Sequence, residues 1–423
     1  MVDGMKKIFF LVMVLGLTAG DMSGQVTLEM CREKAMMNYP LVKQYGIIEA
    51  IAENNLSNAN RGWLPQLSIT AKATRQSDVI EFPIKLPTIS IEPLSKNQYQ
   101  GLAEISQTVW DGGIISSKKS LTEANSEVEK NKLSVDLYAL NERVNQFYFG
   151  ILLLDEQLKT NDILIDELRI NHGKISAMVD NGIASETDLN TVRVEQIKAE
   201  QRKIELTTSK KSYREMLGIL TGEKIPESAV FEKPESGYTA ETIVNKRPEL
   251  DLFESQKFLF ESQRSSINSE IMPRIGLFLQ GGYGKPGLNM LKNEATTYYI
   301  GGVRLSWNLS GLYTRENSLE TIELNNKGID LQRETFLFNN GMKVSQQENE
   351  IEKIRKLIAD DDEIIQLRNS IKKAAESKVE NGTLSVTDLV REINAENMAM
   401  QEKAVHSVQL MMAIYNLKNL YNN

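Results

Sequence analysis

Apolar residues recur along this chain with two periods that alternate. Leu133, Leu137, Leu140, Val144, Phe147, Ile151, Leu154 and Leu158 follow a 4-3-4-3 spacing, continued by Asn161, Ile165, Leu168, His172, Ile175 and Val179. This run predicts one long helix, Gly113 to Asn181, with a coiled-coil seam. A second long helix is expected over Gly311 to Asn381, also without proline. There Ile351, Ile354 and Ile358 fit one register, and Ile364, Leu367, Ile371 and Ala374 one shifted by a residue. About 68 residues at 1.5 Å each reach roughly 100 Å, so these helices must project beyond any single globular core. After each, Asn-Gly turns the chain into a returning helix, 186–221 or 386–421.

The other period is two. Leu67 to Thr74 alternates apolar and polar, as a strand with one wet and one dry face does. Gly101 to Trp110 keeps Ala103, Ile105 and Val109 apart from Glu104, Ser106 and Thr108. Ile275, Leu277, Leu279 and Tyr283 alternate likewise, as do Tyr299, Val303, Leu305 and Trp307. Segments 78–97 and 284–295 are read as loops. Each strand pair follows a helix (about 27–62 and 239–271) that Pro65 or Pro273 ends.

The whole order occurs twice. Asn38-Tyr39-Pro40-Leu41 and Lys246-Arg247-Pro248-Glu249 stand 208 positions apart, as do Trp63-Leu64-Pro65 and Ile271-Met272-Pro273. Val109-Trp110-Asp111-Gly112-Gly113 answers to Ser306-Trp307-Asn308-Leu309-Ser310-Gly311, and Asn181-Gly182 to Asn381-Gly382. The implied division is a signal segment at 1–24, a first repeat at 25–222, a linker at 223–238 and a second repeat at 239–423.

Composition narrows the function. The net charge of −8 argues against a nucleic-acid partner. One cysteine and two histidines exclude a disulfide framework and a His/Cys zinc cluster, and leave little for nucleophilic catalysis, so neither enzyme activity nor a cofactor is expected. Lys6 and Lys7 before the apolar run Ile8 to Leu17, then small residues, read as a secretory signal cleaved after Gly20 or Gly24. Cys31 lacks a small-residue lipobox and is read as an ordinary thiol of the first helix, so no lipidation is expected. Asp360-Asp361-Asp362-Glu363 reads as a solvated helix face, and His406 has no partner in view. His172, a polar residue on the seam, reads as setting register. The glycine-rich Gly281 to Gly287 lacks the Lys-Ser/Thr of a phosphate loop and is a strand end.

Four strands of about ten residues suit an outer membrane crossed at a tilt. Barrels close at eight strands or more, so one chain cannot close its own, whereas two chains would supply eight and three would supply twelve. Trp110 and Trp307 at equivalent strand ends, with Tyr99, Tyr283, Tyr298 and Tyr299 nearby, fit the aromatic girdles of such barrels. The alternative is a small soluble β-patch with ordinary core aromatics, in a secreted coiled-coil structural or interaction protein without a pore.

The duplicated order of helix, Pro, strand pair, Trp-Asp-Gly-Gly or Trp-Asn-Leu-Ser-Gly, long helix, Asn-Gly-x5-Asp-Leu turn and helix resembles the TolC-type outer-membrane efflux proteins. The opening Leu28-Glu29-Met30-Cys31-Arg32-Glu33-Lys34-Ala35 is also similar to that family's start. The resemblance implies a mainly α fold with β: four strands per chain in a trimeric twelve-stranded outer-membrane barrel, above an α-helical periplasmic tunnel. It implies a homotrimer in outer-membrane lipid, serving efflux or type I secretion with a periplasmic adaptor and an inner-membrane transporter. It makes the turns Gly182, Ser185, Thr187, Asp188, Leu189 and Gly382, Ser385, Thr387, Asp388, Leu389 the periplasmic entrance and adaptor dock. From the residues alone, glycine stopping each helix and serine capping the next explain both turns fully. Asp388 would belong to an acidic constriction. Arg391, where family members often carry a second carboxylate, would pair with it instead.

Overall fold

The computed structural model describes residues 25–80, 93–234 and 244–422; the signal segment, interior parts of two connecting segments and the last residue lie outside them. In chain order the elements are α1 (Leu28–Asn38), α2 (Gln44–Asn60), β1 (Gln66–Arg75), β2 (Asn97–Trp110), α3 (Ile114–Tyr138), α4 (Leu140–Asp180) and α5 (Glu186–Thr221). Then come α6 (Pro248–Glu270), β3 (Arg274–Lys285), β4 (Thr296–Ser306), α7 (Leu312–Glu380) and α8 (Val386–Tyr421). Two expectations are refined. The opening helix is split around a short 3-10 turn, Pro40–Lys43, because proline disfavours helix in the residue before it. The first long helix is interrupted at Ala139, which keeps helical angles (φ −62°, ψ −17°).

The chain forms two compact units. One, from 43–135 and 248–336, contains the sheet, ordered β1-β2-β3-β4 and antiparallel throughout. The register sets Ile69 beside Ala103, Ile105 beside Leu279, and Leu277 beside Val303. Side chains on a strand alternate, so these residues share one face with Leu67, Tyr99, Tyr283, Tyr299 and Leu305. Among the described residues nothing covers that face: Ile69 is 78% and Val303 69% exposed. The opposite face joins Glu104 to Gln280 and to Arg304, whose guanidinium also lies over the Phe278 ring. The Trp-Asp-Gly-Gly motif turns strand into helix. Both Asp111 oxygens cap α3, accepting from Gly113 N–H at 2.9 Å and Ile115 N–H at 2.6 Å.

The other unit, from 25–42, 136–247 and 337–422, is helical. On α4 every residue of the expected seam from Leu140 onward is buried or half-buried. A second buried stripe, Asn141, Asn145, Tyr148, Phe149 and Leu152, widens it into a core with α1 and α8. The linker is part of this core. Val26 N–H donates to Val230 O at 2.9 Å, and the Tyr148 hydroxyl lies 2.7 Å and 2.8 Å from the carbonyls of Val26 and Glu232. Buried beside them, the Cys31 thiol is pushed up to about 12 by loss of solvent.

The seam of α7 departs from the expectation. The residues turned into the bundle are Ile351, Ile354, Ile358, Asp361, Ile365, Arg368, Lys372, Ala375 and Val379, an unbroken 3-4 series. No register shift occurs. Three polar members disguise the series, and each meets a polar partner. Asp361, buried rather than solvated, lies 2.8 Å from His406 Nδ1, so both residues have the partner that sequence reading missed. Arg368 lies 3.4 Å from Glu392, and Lys372 is held by Glu167 and Glu396. The line Ile364, Leu367 and Ile371 is instead a second apolar stripe, and it is exposed.

Candidate functional site: the paired helix turns

The two turns are built alike. Gly182 (φ 71°) and Gly382 (φ 68°) adopt the left-handed conformation that ends α4 and α7. Gly182 N–H donates to Val179 O and Ile183 N–H to Met178 O; Gly382 and Thr383 repeat the pattern toward Val379 and Lys378. These pairs satisfy the last helical carbonyls. In the first turn Ser185 Oγ accepts from Asp188 N–H at 3.2 Å, and Asp188 Oδ2 accepts from Ser185 N–H at 3.0 Å. The box is thus closed with aspartate in the usual place of glutamate. In the second turn Ser385 Oγ accepts from Asp388 N–H at 3.1 Å and donates to Asp388 Oδ2 at 2.7 Å. The other carboxylate oxygen, Oδ1, lies 3.1 Å from Arg391 Nη1.

The structure brings the turns together in one cluster. Val386, Leu389, Val390 and Ile393 of α8 pack with Val192 of α5, Ile175 of α4, and Ala375 and Val379 of α7, with Leu189 and Ala184 against them. Lys174 reaches Glu380 at 3.3 Å, and Asn394 donates to Glu195 at 3.1 Å. Leu389 is thus buried and Leu189 half-buried, while Gly182, Ser185, Thr187, Gly382, Ser385, Thr387 and Arg391 are exposed. Asp388 already serves a cap and a guanidinium. Behind the turns Glu396 is 1% exposed and accepts from Asn369 Nδ2 at 2.6 Å. Burial alone pulls Lys372 down, but hydrogen bonds to Glu167 and Glu396 outweigh it and hold its pKa above the ordinary lysine value. Sequence reading overlooked this cluster. Its one signal was the 3-4 spacing of Asp361, Arg368 and Lys372.

The aromatic residues sit at opposite ends of the sheet. Trp110 closes β2 and Trp307 follows β4 at the helix end; Trp307 Nε1–H donates to Ile271 O at 2.9 Å. Tyr99 and Tyr299 lie toward the loop end, and Tyr299 is 80% exposed. Eight residues separate Tyr299 from Trp307, roughly 27 Å along an extended strand, against an apolar band of about 25 Å in outer-membrane barrels.

Long paired helices, together with a four-stranded sheet whose apolar face is bare among the described residues, are the elements of the TolC-type outer-membrane channel fold. Residues 34–223 match the model of the outer membrane efflux protein family. Among solved structures, the outer-membrane channel OprN is similar at 13% identity and TM-score 0.69, covering 93% of this chain and 89% of that one. The CusC channel is similar at 13% identity and TM-score 0.68, covering 96% and 95%. The outer membrane protein VceC from Vibrio cholerae is similar at 12% identity and TM-score 0.65, covering 92% and 95%. No curated protein matches the sequence. Residues 34–223 thus match that family's model, and over nearly all of its length the chain has the fold of these channels. Among the described residues no helix is long and apolar enough to cross a membrane, which leaves a β-barrel untouched.

Proposed function

We propose that the chain is one subunit of an outer-membrane exit duct, exported by its N-terminal signal, unlipidated, and working as a homotrimer. The observation that carries this reading is the sheet. One face is apolar and bare, the other is polar, and among the described residues its edge strands β1 and β4 have no partner. Unpaired edges and an uncovered apolar face are both costly in water. Joining edges with two further copies resolves both at once: twelve strands close, the apolar face meets lipid, and the Glu104–Arg304 face lines the lumen. The exposed stripe of Ile364, Leu367 and Ile371 supports helix contacts between copies as well. Trp110, Trp307, Tyr99 and Tyr299 then anchor the barrel at the two interfaces.

At the far ends of the helices, the two turns form the periplasmic entrance. Thr187, Thr387 and Arg391 offer exposed polar side chains to a periplasmic adaptor, which couples the duct to an inner-membrane transporter. Energy comes from that transporter. Pairing of Asp388 with Arg391 weakens any acidic ring at the entrance. Single-channel conductance in planar bilayers tests this: Arg391→Ala should increase cation over anion permeability, and Asp388→Asn should not. Two variants with unchanged selectivity would remove these residues from the constriction.

A further inference from the structure

The bare face of the sheet differs between its two ends. At the helix end it finishes in Trp110, Ile275, Leu305 and Trp307, with no charge. At the loop end it finishes in Arg75 and Lys285, the only charged residues that strand alternation places on this face. The one acidic residue in the four strands, Glu104, belongs to the opposite face and is held by Gln280 and Arg304. Among the described residues neither Arg75 nor Lys285 meets a carboxylate, although ion pairs are frequent elsewhere in the chain.

The register joins the two cations. Ala73, Tyr99 and Lys285 stand in one row across β1, β2 and β3, and Arg75 stands one pleat beyond Ala73, beside Asn97. With strands about 4.8 Å apart, Arg75 and Lys285 are about 10 Å apart across the sheet and one pleat apart along it, flanking Tyr99. Their flexible stems let both heads converge above the Tyr99 ring, while Tyr99, Tyr283 and Tyr299 mark the depth of the headgroups. A guanidinium and an ammonium bracketing an aromatic at that depth, with no acid on the face, suit a phosphate ester better than a neutral headgroup. On the reading of this sheet as a barrel wall, we infer that Arg75 and Lys285 of each subunit bind the phosphate of a phosphorylated lipid headgroup in the outward leaflet.

The test uses the full chain extracted from outer membranes in detergent, incubated with diphosphorylated lipid A or its dephosphorylated counterpart. Lipid retained per chain is counted after gel filtration. Wild type should retain the phosphorylated lipid and not the dephosphorylated one. Arg75→Gln or Lys285→Gln should each weaken retention about fivefold, and the double variant about thirtyfold. Equal retention by wild type and double variant, or equal retention of the two lipids by wild type, would overturn the inference. Extraction separates this from failure of the underlying reading. A chain released without detergent would refute the barrel itself, whereas a detergent-requiring double variant that still holds the lipid refutes only the phosphate site.

Discussion

Replacing Lys372 by methionine probes the charged cluster that replaces apolar residues behind the turns. Lys372 Nζ lies 2.7 Å from Glu167 and is paired with Glu396, so one ammonium joins α4, α7 and α8. Its pKa is raised, so its contribution is complete below the ordinary lysine value and is lost only as the pH climbs through the folded value. At neutral pH the whole contribution is present. Methionine keeps the stem's volume but leaves the Glu396 carboxylate, 1% exposed, with Asn369 as its donor. Breaking a buried pair on one side costs about 3–5 kcal/mol. Amide hydrogen exchange of the purified assembly should report this as a loss of protection of about two to four orders of magnitude across 364–400. The double variant Lys372→Met, Glu396→Leu should lie within about 1 kcal/mol of wild type, since the fully buried charge is gone and the remaining carboxylate, Glu167, is 20% exposed. A single variant that exchanges like wild type, or a double variant as labile as the single, would refute the argument.

Other outcomes follow from the same geometry. Val303→Arg places a charge on the bare face at a cost of about 2–4 kcal/mol near mid-membrane and should abolish outer-membrane assembly, whereas Thr70→Arg on the polar face should be tolerated; equal assembly of the two would contradict the lipid-facing assignment. Cys31, its thiol pushed up to about 12 chiefly by burial, should resist maleimide at pH 8 until α1 opens. Because the unfolded thiol ionises first, stability should fall as pH rises from about 9 towards 12; rapid labelling of the native protein would contradict this. Ser385→Ala should cost about 1 kcal/mol through loss of the cap. Thr387→Arg should leave stability unchanged yet weaken capture of the periplasmic adaptor, and unchanged capture would restrict the turn to a structural role.

Much of the fold was legible because its signals are local. Strand alternation at Leu67 to Thr74 and the seam from Leu140 to Val179 need only the apolar residues themselves. The Asn-Gly-x2-Ser-x2-Asp turns carry their caps within a few positions. Signals that depend on distant partners were lost. Asp361 reads as one of four exposed acids until α8 brings His406 to it from 45 positions away. Arg368 and Lys372 hide the α7 seam for the same reason, so apolarity drew attention to the outward stripe of Ile364, Leu367 and Ile371. Ala139 carries no breaking residue type, and its interruption had no local signature. At the turns the Asp388–Arg391 pair was anticipated from the family resemblance, and the i,i+3 spacing puts both on one helix face.

The central claim is that three chains share one barrel. The most direct test is the native mass, by light scattering in detergent, of protein extracted from the outer-membrane fraction, with and without heating. A trimer that dissociates to single chains on heating is the expected result. A monomer or elongated dimer recovered without detergent would contradict it, and the long helices would then act as a spacer instead of the wall of a duct.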